Sequence, residues 1–185
     1  MGQVTTLLAA LGEGRPQAFE ALYAVLYPEL HRLARSRIRR SGELTLLDTT
    51  ALVHEAYLRL EKAGELSFGD RAQFMAYAAR AMRSIVVDAI RSRRSERHGG
   101  DAVHVPIEEA EEVGSTASRL EGEVLRVHES LAELASIDAR LVQVVEMRYF
   151  AGLTEVEIAG VLNVSARTVA RDWEKARLFL HECLR

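Results

Sequence analysis

An all-α protein, built as two small helical domains joined by a flexible linker, is predicted by three observations. Apolar residues recur at three- and four-residue steps through several long stretches, the period of a helix with one buried face. Only 3 Pro and 12 Gly interrupt the 185 residues, which are otherwise rich in the strong helix formers Ala, Leu, Arg and Glu. Between residues 101 and 119 the periodicity stops, and small and acidic residues take over.

In chain order, Thr5 to Leu11 predicts one or two helical turns, broken at Gly12-Glu-Gly14, and Pro16 suits the first turn of a longer helix. Phe19, Leu22, Leu26, Leu30 and Leu33 mark its buried face. Pro28 lacks an amide proton and crowds the preceding turn, which predicts a kink or break just before it. The helix ends in Arg35-Ser-Arg37-Ile-Arg39-Arg40, cations at the negative end of the dipole, before Ser41-Gly42. Asp48 or Thr49 caps the next helix, with Leu52, Ala56 and Leu60 on one face and Val53 and Tyr57 beside it. His54 and Glu55 point elsewhere. No His-x-x-x-His or second carboxylate stands at ligand spacing, so the pair reads as a polar patch facing solvent and predicts no metal site.

Ser67 to Asp70 reads as a turn, followed by a long helix to Arg97 carrying Phe74, Tyr77, Ala78, Ala81, Ile85, Asp88 and Ala89. Aromatics and arginines share this helix. Either they form a surface on which bases stack and phosphates meet cations, or the aromatics are core and the arginines solvated. His98-Gly99-Gly100 closes the first unit, residues 1–100. Residues 101–119, with Pro106, four glutamates and Gly114-Ser-Thr-Ala-Ser118, read as an acidic linker.

The second unit, 120–185, has one helix with Leu125, Leu131 and Leu134. In the next, capped by Asp138, Leu141, Val142, Val145 and Tyr149 face inward, and the helix ends at Gly152. Thr154-x-x-Glu157 is a capping box, and Ile158, Ala159 and Leu162 form a short amphipathic helix behind it. Asn163 tolerates a left-handed turn, and Ser165 caps a last helix with Val169, Trp173, Ala176 and Leu180 on the buried face. Two helices across so tight a turn read as a helix-turn-helix, with Arg167, Thr168, Ala170, Arg171 and Lys175 free for a DNA groove. The bland alternative is a helical hairpin with a solvated basic face.

The formal net charge of −3 conceals an uneven distribution. Residues 1–100 hold 15 Lys+Arg against 11 Asp+Glu, and residues 101–185 hold 9 against 16. Arg80, Arg83, Arg91, Arg93, Arg94 and Arg97 concentrate positive charge in the first unit, a local field suited to phosphates. The single Cys183 allows no internal disulfide. The N-terminus lacks the basic and apolar regions of a secretory signal, and no apolar run reaches membrane-spanning length. A cytoplasmic protein without membrane insertion is expected.

These segments, in this order, resemble the extracytoplasmic-function (ECF) sigma factors of bacterial RNA polymerase. Phe19 to Ile38 is similar to the family's first conserved helix. DTTALVHEAYLRL is similar to its polymerase-binding helix, commonly D-L-V-Q-E-x-F-L-R-L: Leu52, Val53, Glu55, Leu58, Arg59 and Leu60 match, Tyr57 replaces Phe, and Ala51 and His54 depart. FMAYAARAMRSIVVDAIRSRR resembles the helix that holds the melted −10 strand. Phe74, Arg80, Arg83, Asp88 and Arg91 match there, while Tyr77 stands for Trp and Ser84 for Asn. RYFAGLTEVEIAGVLNVSARTVARDWEKAR resembles domain 4, the −35 reader, although Arg171-Asp172-Trp173 departs from the usual S-R-L or R-R-L.

The resemblance implies partners rather than chemistry: core RNA polymerase, promoter DNA as duplex and as melted strand, and an anti-sigma factor or other regulator. It implies polymerase contacts at Leu52, Val53, Glu55, Tyr57 and Arg59. Single-strand contacts fall at Phe74, Tyr77, Arg80, Arg83, Ser84, Asp88 and Arg91. Duplex contacts fall at Ser165, Arg167, Thr168, Arg171 and Lys175, with Arg167 and Arg171 on guanine edges or on phosphates. No cofactor and no catalysis are expected. A stand-alone helix-turn-helix regulator is the rival reading. A helical enzyme using Asp48, His54 and Glu55 lacks a ligand set or a nucleophile arrangement.

Overall fold

The computed structural model describes residues 2–15, 17–41, 47–63, 66–99 and 110–185, with the side chains of 39–41, 97–99 and 110–117 left aside. Within them the chain is helical, with no strand. The helices are α1 (Gln3–Gly12), α2 (Ala18–Ser41), α3 (Thr49–Lys62), α4 (Arg71–Gly99), α5 (Ala110–Ile137), α6 (Ala139–Val145), α7 (Glu155–Leu162) and α8 (Ala166–Cys183), and a π-helical turn, Glu146–Phe150, continues α6. None of these helices is long and apolar enough to cross a membrane.

α2, α3 and α4 pack on one another, and α1 closes over α2. Leu22, Leu26 and Leu30 of α2 meet Leu52, Ala56 and Leu60 of α3 and Phe74, Ala78 and Met82 of α4, all with no more than 1% exposure. The Tyr23 hydroxyl donates to the Val53 carbonyl at 2.7 Å, so this buried polar group is satisfied. Burial, with Tyr27 and Tyr57 nearby, pushes the Tyr23 phenol well above its usual range. α2 runs unbroken through Pro28. The break expected there does not occur, because the leucines on both sides of Pro28 are anchored in one core, which offsets the lost hydrogen bond. The Pro16 reading falls outside the described residues.

Asp48 caps α3, its Oδ1 accepting from the Ala51 amide at 2.7 Å. Asp70 does the same for Gln73 at the start of α4, at 2.8 Å. α5 begins at Ala110, whereas the sequence places the second unit's start near Leu120. Residues 101–109 of the expected linker lie outside the described residues. Gly and Ser in a helix interior cost at most about 1 kcal/mol each. A helix anchored further on by Leu131 and Leu134 carries that cost through Gly114 and Ser118.

The π turn corrects a second expectation. The Ala151 amide donates to the Glu146 carbonyl at 2.9 Å, a five-residue step that adds one residue to the helical period. The inward face therefore passes from Val145 to Phe150, and Tyr149, expected inside, is 50% exposed. Gly152 ends the turn at φ 71°, in the left-handed region.

The two groups of helices meet along α4. Val144, Met147, Leu153 and Ile158 share one apolar core with α3 and α4, while Ala79 of α4 packs with Leu131, Leu134, Leu141 and Phe150. Three arginines of the first group close the seam. Arg37 lies 4.2 Å from the Phe150 ring centroid and donates to the Phe150 carbonyl at 2.5 Å. Arg83 pairs with Glu146 at 2.5 Å, and Arg71 pairs with Glu29 and, at 3.5 Å, with Glu157.

Candidate nucleic-acid interface

The ends of the helix-turn-helix are set by local chemistry. The Thr154 hydroxyl accepts from the Glu157 amide at 3.3 Å, and the Glu157 carboxylate accepts from the Thr154 amide at 2.8 Å. That amide bond, a second bond in which the Thr154 hydroxyl donates to the same carboxylate at 2.8 Å, and Arg71 nearby hold the Glu157 carboxyl below its usual range. Asn163 takes φ 52° and ψ 47°, ending α7. Ser165 then caps α8, accepting from the Thr168 amide at 3.1 Å, with its hydroxyl 2.9 Å from that of Thr168.

Beyond that cap, Arg167, Arg171 and Lys175 stand exposed on α8, and Thr168 is half-buried at its start. Ser165 is exposed too, but its hydroxyl is engaged in the cap. Those five residues, expected on a duplex, therefore run from the cap of α8 to just past its middle. The inward positions are Val169, Asp172 and Ala176, with Trp173 and Leu180 only half-buried. Trp173 packs between the two core clusters, with the Arg148 guanidinium 4.8 Å from its centroid. Arg148 is itself held by Glu155 at 2.5 Å. Trp173→Ala should thus cost about 2 kcal/mol, below the range for a fully buried aromatic, and thermal unfolding of the whole chain measures it.

The residues expected on a melted strand divide. Arg80, Asp88 and Arg91 are exposed on α4, as is Tyr77 at 39%, its ring 5.5 Å from that of Phe68. Phe74 is wholly buried, edge-on to Phe68 and Tyr23. Arg83 turns into the seam, where its side chain is 15% exposed. Its Nη1 donates to His128 Nδ1 at 2.8 Å, since a guanidinium has no acceptor.

The polymerase-binding set divides in the same way. Leu52 and Val53 are buried in the core, whereas Glu55 is exposed and Tyr57 half-buried. Tyr57 packs at a tilt against Phe19 and edge-on to Tyr23, and donates to Glu61 at 3.2 Å. Arg59 crosses from α3 to α4, donating to Ser84 at 2.9 Å and to Asp88 at 3.0 Å. One guanidinium thus ties the two candidate surfaces together.

Sequence reasoning missed Arg37, Asp172, Arg140, Glu146 and His128, whose partners lie 32 or more residues away. Burial, then the cations of Arg83 and Arg91, pushes the His128 imidazole below its ordinary value, with Asp88 and Glu129 opposing them. The unfolded chain therefore takes this proton more readily than the folded one. Stability from this group should be intact above about pH 6.5 and decline as pH falls through that value toward the lowered one. The thermal midpoint should fall between pH 7.5 and pH 5.5, and His128→Gln should make that fall smaller.

The family model for ECF sigma factors matches residues 1–185, the whole chain. No curated protein and no solved structure matched it. That family is not a class of enzymes. With a capped helix-turn-helix whose second helix presents cations, and an arginine-bearing helix beside it, the chain belongs to the ECF sigma factors, which bind core RNA polymerase and direct initiation at specific promoters.

Proposed function

We propose that the labour of initiation is divided between the two ends of this chain. Residues 1–100 dock on core polymerase and handle the −10 region, residues 120–185 read the −35 duplex, and 101–119 connect them. The exposed edge of α3, with Glu55, Arg59 and part of Tyr57, meets polymerase, while Leu52 and Val53 hold that edge from beneath. Tyr77, Arg80 and Arg91 offer the stacking ring and the cations for a displaced strand, and Ser84 and Asp88 fix Arg59 at its border. Phe74 and Arg83 support this surface from the core and from the seam. At the other end, α8 enters the major groove with Arg167, Arg171 and Lys175, its cap at Ser165 and Thr168 facing the phosphates.

The observation that carries this reading is the exposed cationic face of α8 behind a turn whose every cap is satisfied. An anti-sigma factor or another regulator is a further partner of the reading, and the cytoplasm its place. Reconstitution tests it. The purified chain should direct core polymerase to start at promoter fragments selected with that holoenzyme, and it should not bind them tightly alone. Tight promoter binding by the free chain, without any start directed to it, would instead make it a stand-alone regulator.

A further inference from the structure

Asp172 is the most deeply buried carboxylate on α8, 1% exposed, in the middle of the helix proposed to read DNA. Its Oδ2 accepts from Arg140 Nε at 2.7 Å. Its Oδ1 has no hydrogen bond among the described residues, and Arg171 Nε stands 3.9 Å from it. A carboxylate taken out of water and bonded on one oxygen only is a poor device for stability. An apolar residue at this position would serve the core at least as well.

Arg140 shows what the carboxylate achieves. It lies in the first turn of α6, its amide bonded to the Asp138 cap at 2.9 Å, and its side chain is 43% exposed. Asp172 holds the guanidinium by Nε alone. Among the described residues, neither amino group of Arg140 has a hydrogen-bond partner. That edge carries two parallel N–H donors, the fork that fits a phosphate bidentately. Arg171, 63% exposed, flanks the same carboxylate. Two guanidiniums therefore gather around one buried acid beside the cationic face of α8.

We infer that Arg140, pre-oriented by Asp172, is a further DNA contact of this protein, gripping a backbone phosphate beside the groove that α8 enters. Asp172 is a positioning residue: it touches no DNA and acts by fixing Arg140 before DNA arrives, so less rotamer freedom is lost on binding. The inference rests on the proposed docking of α8 in the −35 duplex. It also accounts for an acid at a position where the resemblance leads one to expect a base.

The test uses full-length holoenzyme and a −35 duplex taken from its own selected promoter, with affinity measured against salt. Arg140→Gln should flatten the slope of log K against log salt by about 0.9, the share of one phosphate, and leave base preference unchanged. Asp172→Ala should weaken binding several-fold across all sequences, and Arg140→Gln added to it should cost nothing more. Asp172→Asn, whose amide oxygen still accepts from Nε, should restore most of the loss. If Arg140→Gln lowers only the thermal midpoint and leaves the slope as it was, the pair is a structural staple and the inference fails. Arg167→Ala and Arg171→Ala run in parallel. Should these weaken binding while Arg140→Gln does not, only the Arg140 assignment falls; should none matter, the docking of α8 falls with it.

Discussion

Phe74→Ala is expected to destabilise the chain by about 3–5 kcal/mol, as truncation of a wholly buried aromatic does. For a chain of this size that lowers the thermal midpoint by roughly 10 °C or more. The ring is sealed between Phe68, at 5.4 Å, and Tyr23, at 6.4 Å, with no surface left for a base. Loss of polymerase and promoter binding should follow as a consequence of unfolding. Tyr77→Ala, one helical turn on, should behave in the opposite way. Its ring is 39% exposed, so the midpoint should move by only a few degrees. Binding of pre-melted promoter DNA should weaken by about 1–3 kcal/mol, the worth of one base stacked on one ring. Calorimetry and binding to a pre-melted template, measured on both variants, separate the two roles. A stable Phe74→Ala protein that had lost only its single-strand affinity would move Phe74 from the core to a base pocket.

That contrast bears on how much of the molecule was legible beforehand. Features that depend on neighbours three or four residues apart were readable, because one turn of chain contains all the chemistry. The Thr154–Glu157 box, the left-handed Asn163 and the caps at Ser165, Asp48 and Asp138 are of this kind. So was the all-helical class, and so was the line of cations along α8. Resemblance singled out particular helices but not which way each side chain points. Leu52, Val53 and Phe74 match family positions and lie in the core. The π turn was invisible because nothing in EMRYF announces a five-residue step, so the periodicity selected Tyr149 where the fold buries Phe150. Asp172 stood out in the sequence only as part of a triplet that departs from the family's usual S-R-L or R-R-L, with nothing to say that it is buried. Its burial depends on Arg140, 32 residues earlier, which no local pattern could connect to it.

The same long-range logic sets the second large effect. Arg83 and Glu146 have side chains only 15% and 10% exposed, and they meet across the seam between the two helical groups. Removing one partner strands the other in a poorly solvated place, so Arg83→Met should cost about 3 kcal/mol. Replacing both, as Arg83→Met with Glu146→Leu, should recover most of that, since no charge is then left unpaired. The non-additivity of the cycle is the measurement: the double variant should be more stable than either effect alone would allow. The cycle also tells a seam residue from a strand-binding one. Arg80 and Arg91 are exposed on the same helix and are proposed to meet a displaced strand. Their loss should impair promoter opening while stability holds. The double variant at Arg83 and Glu146 should open promoters as the unaltered protein does once its stability is restored. If it is stable and still fails to open them, Arg83 leaves Glu146 to grip DNA, and the seam must part before initiation.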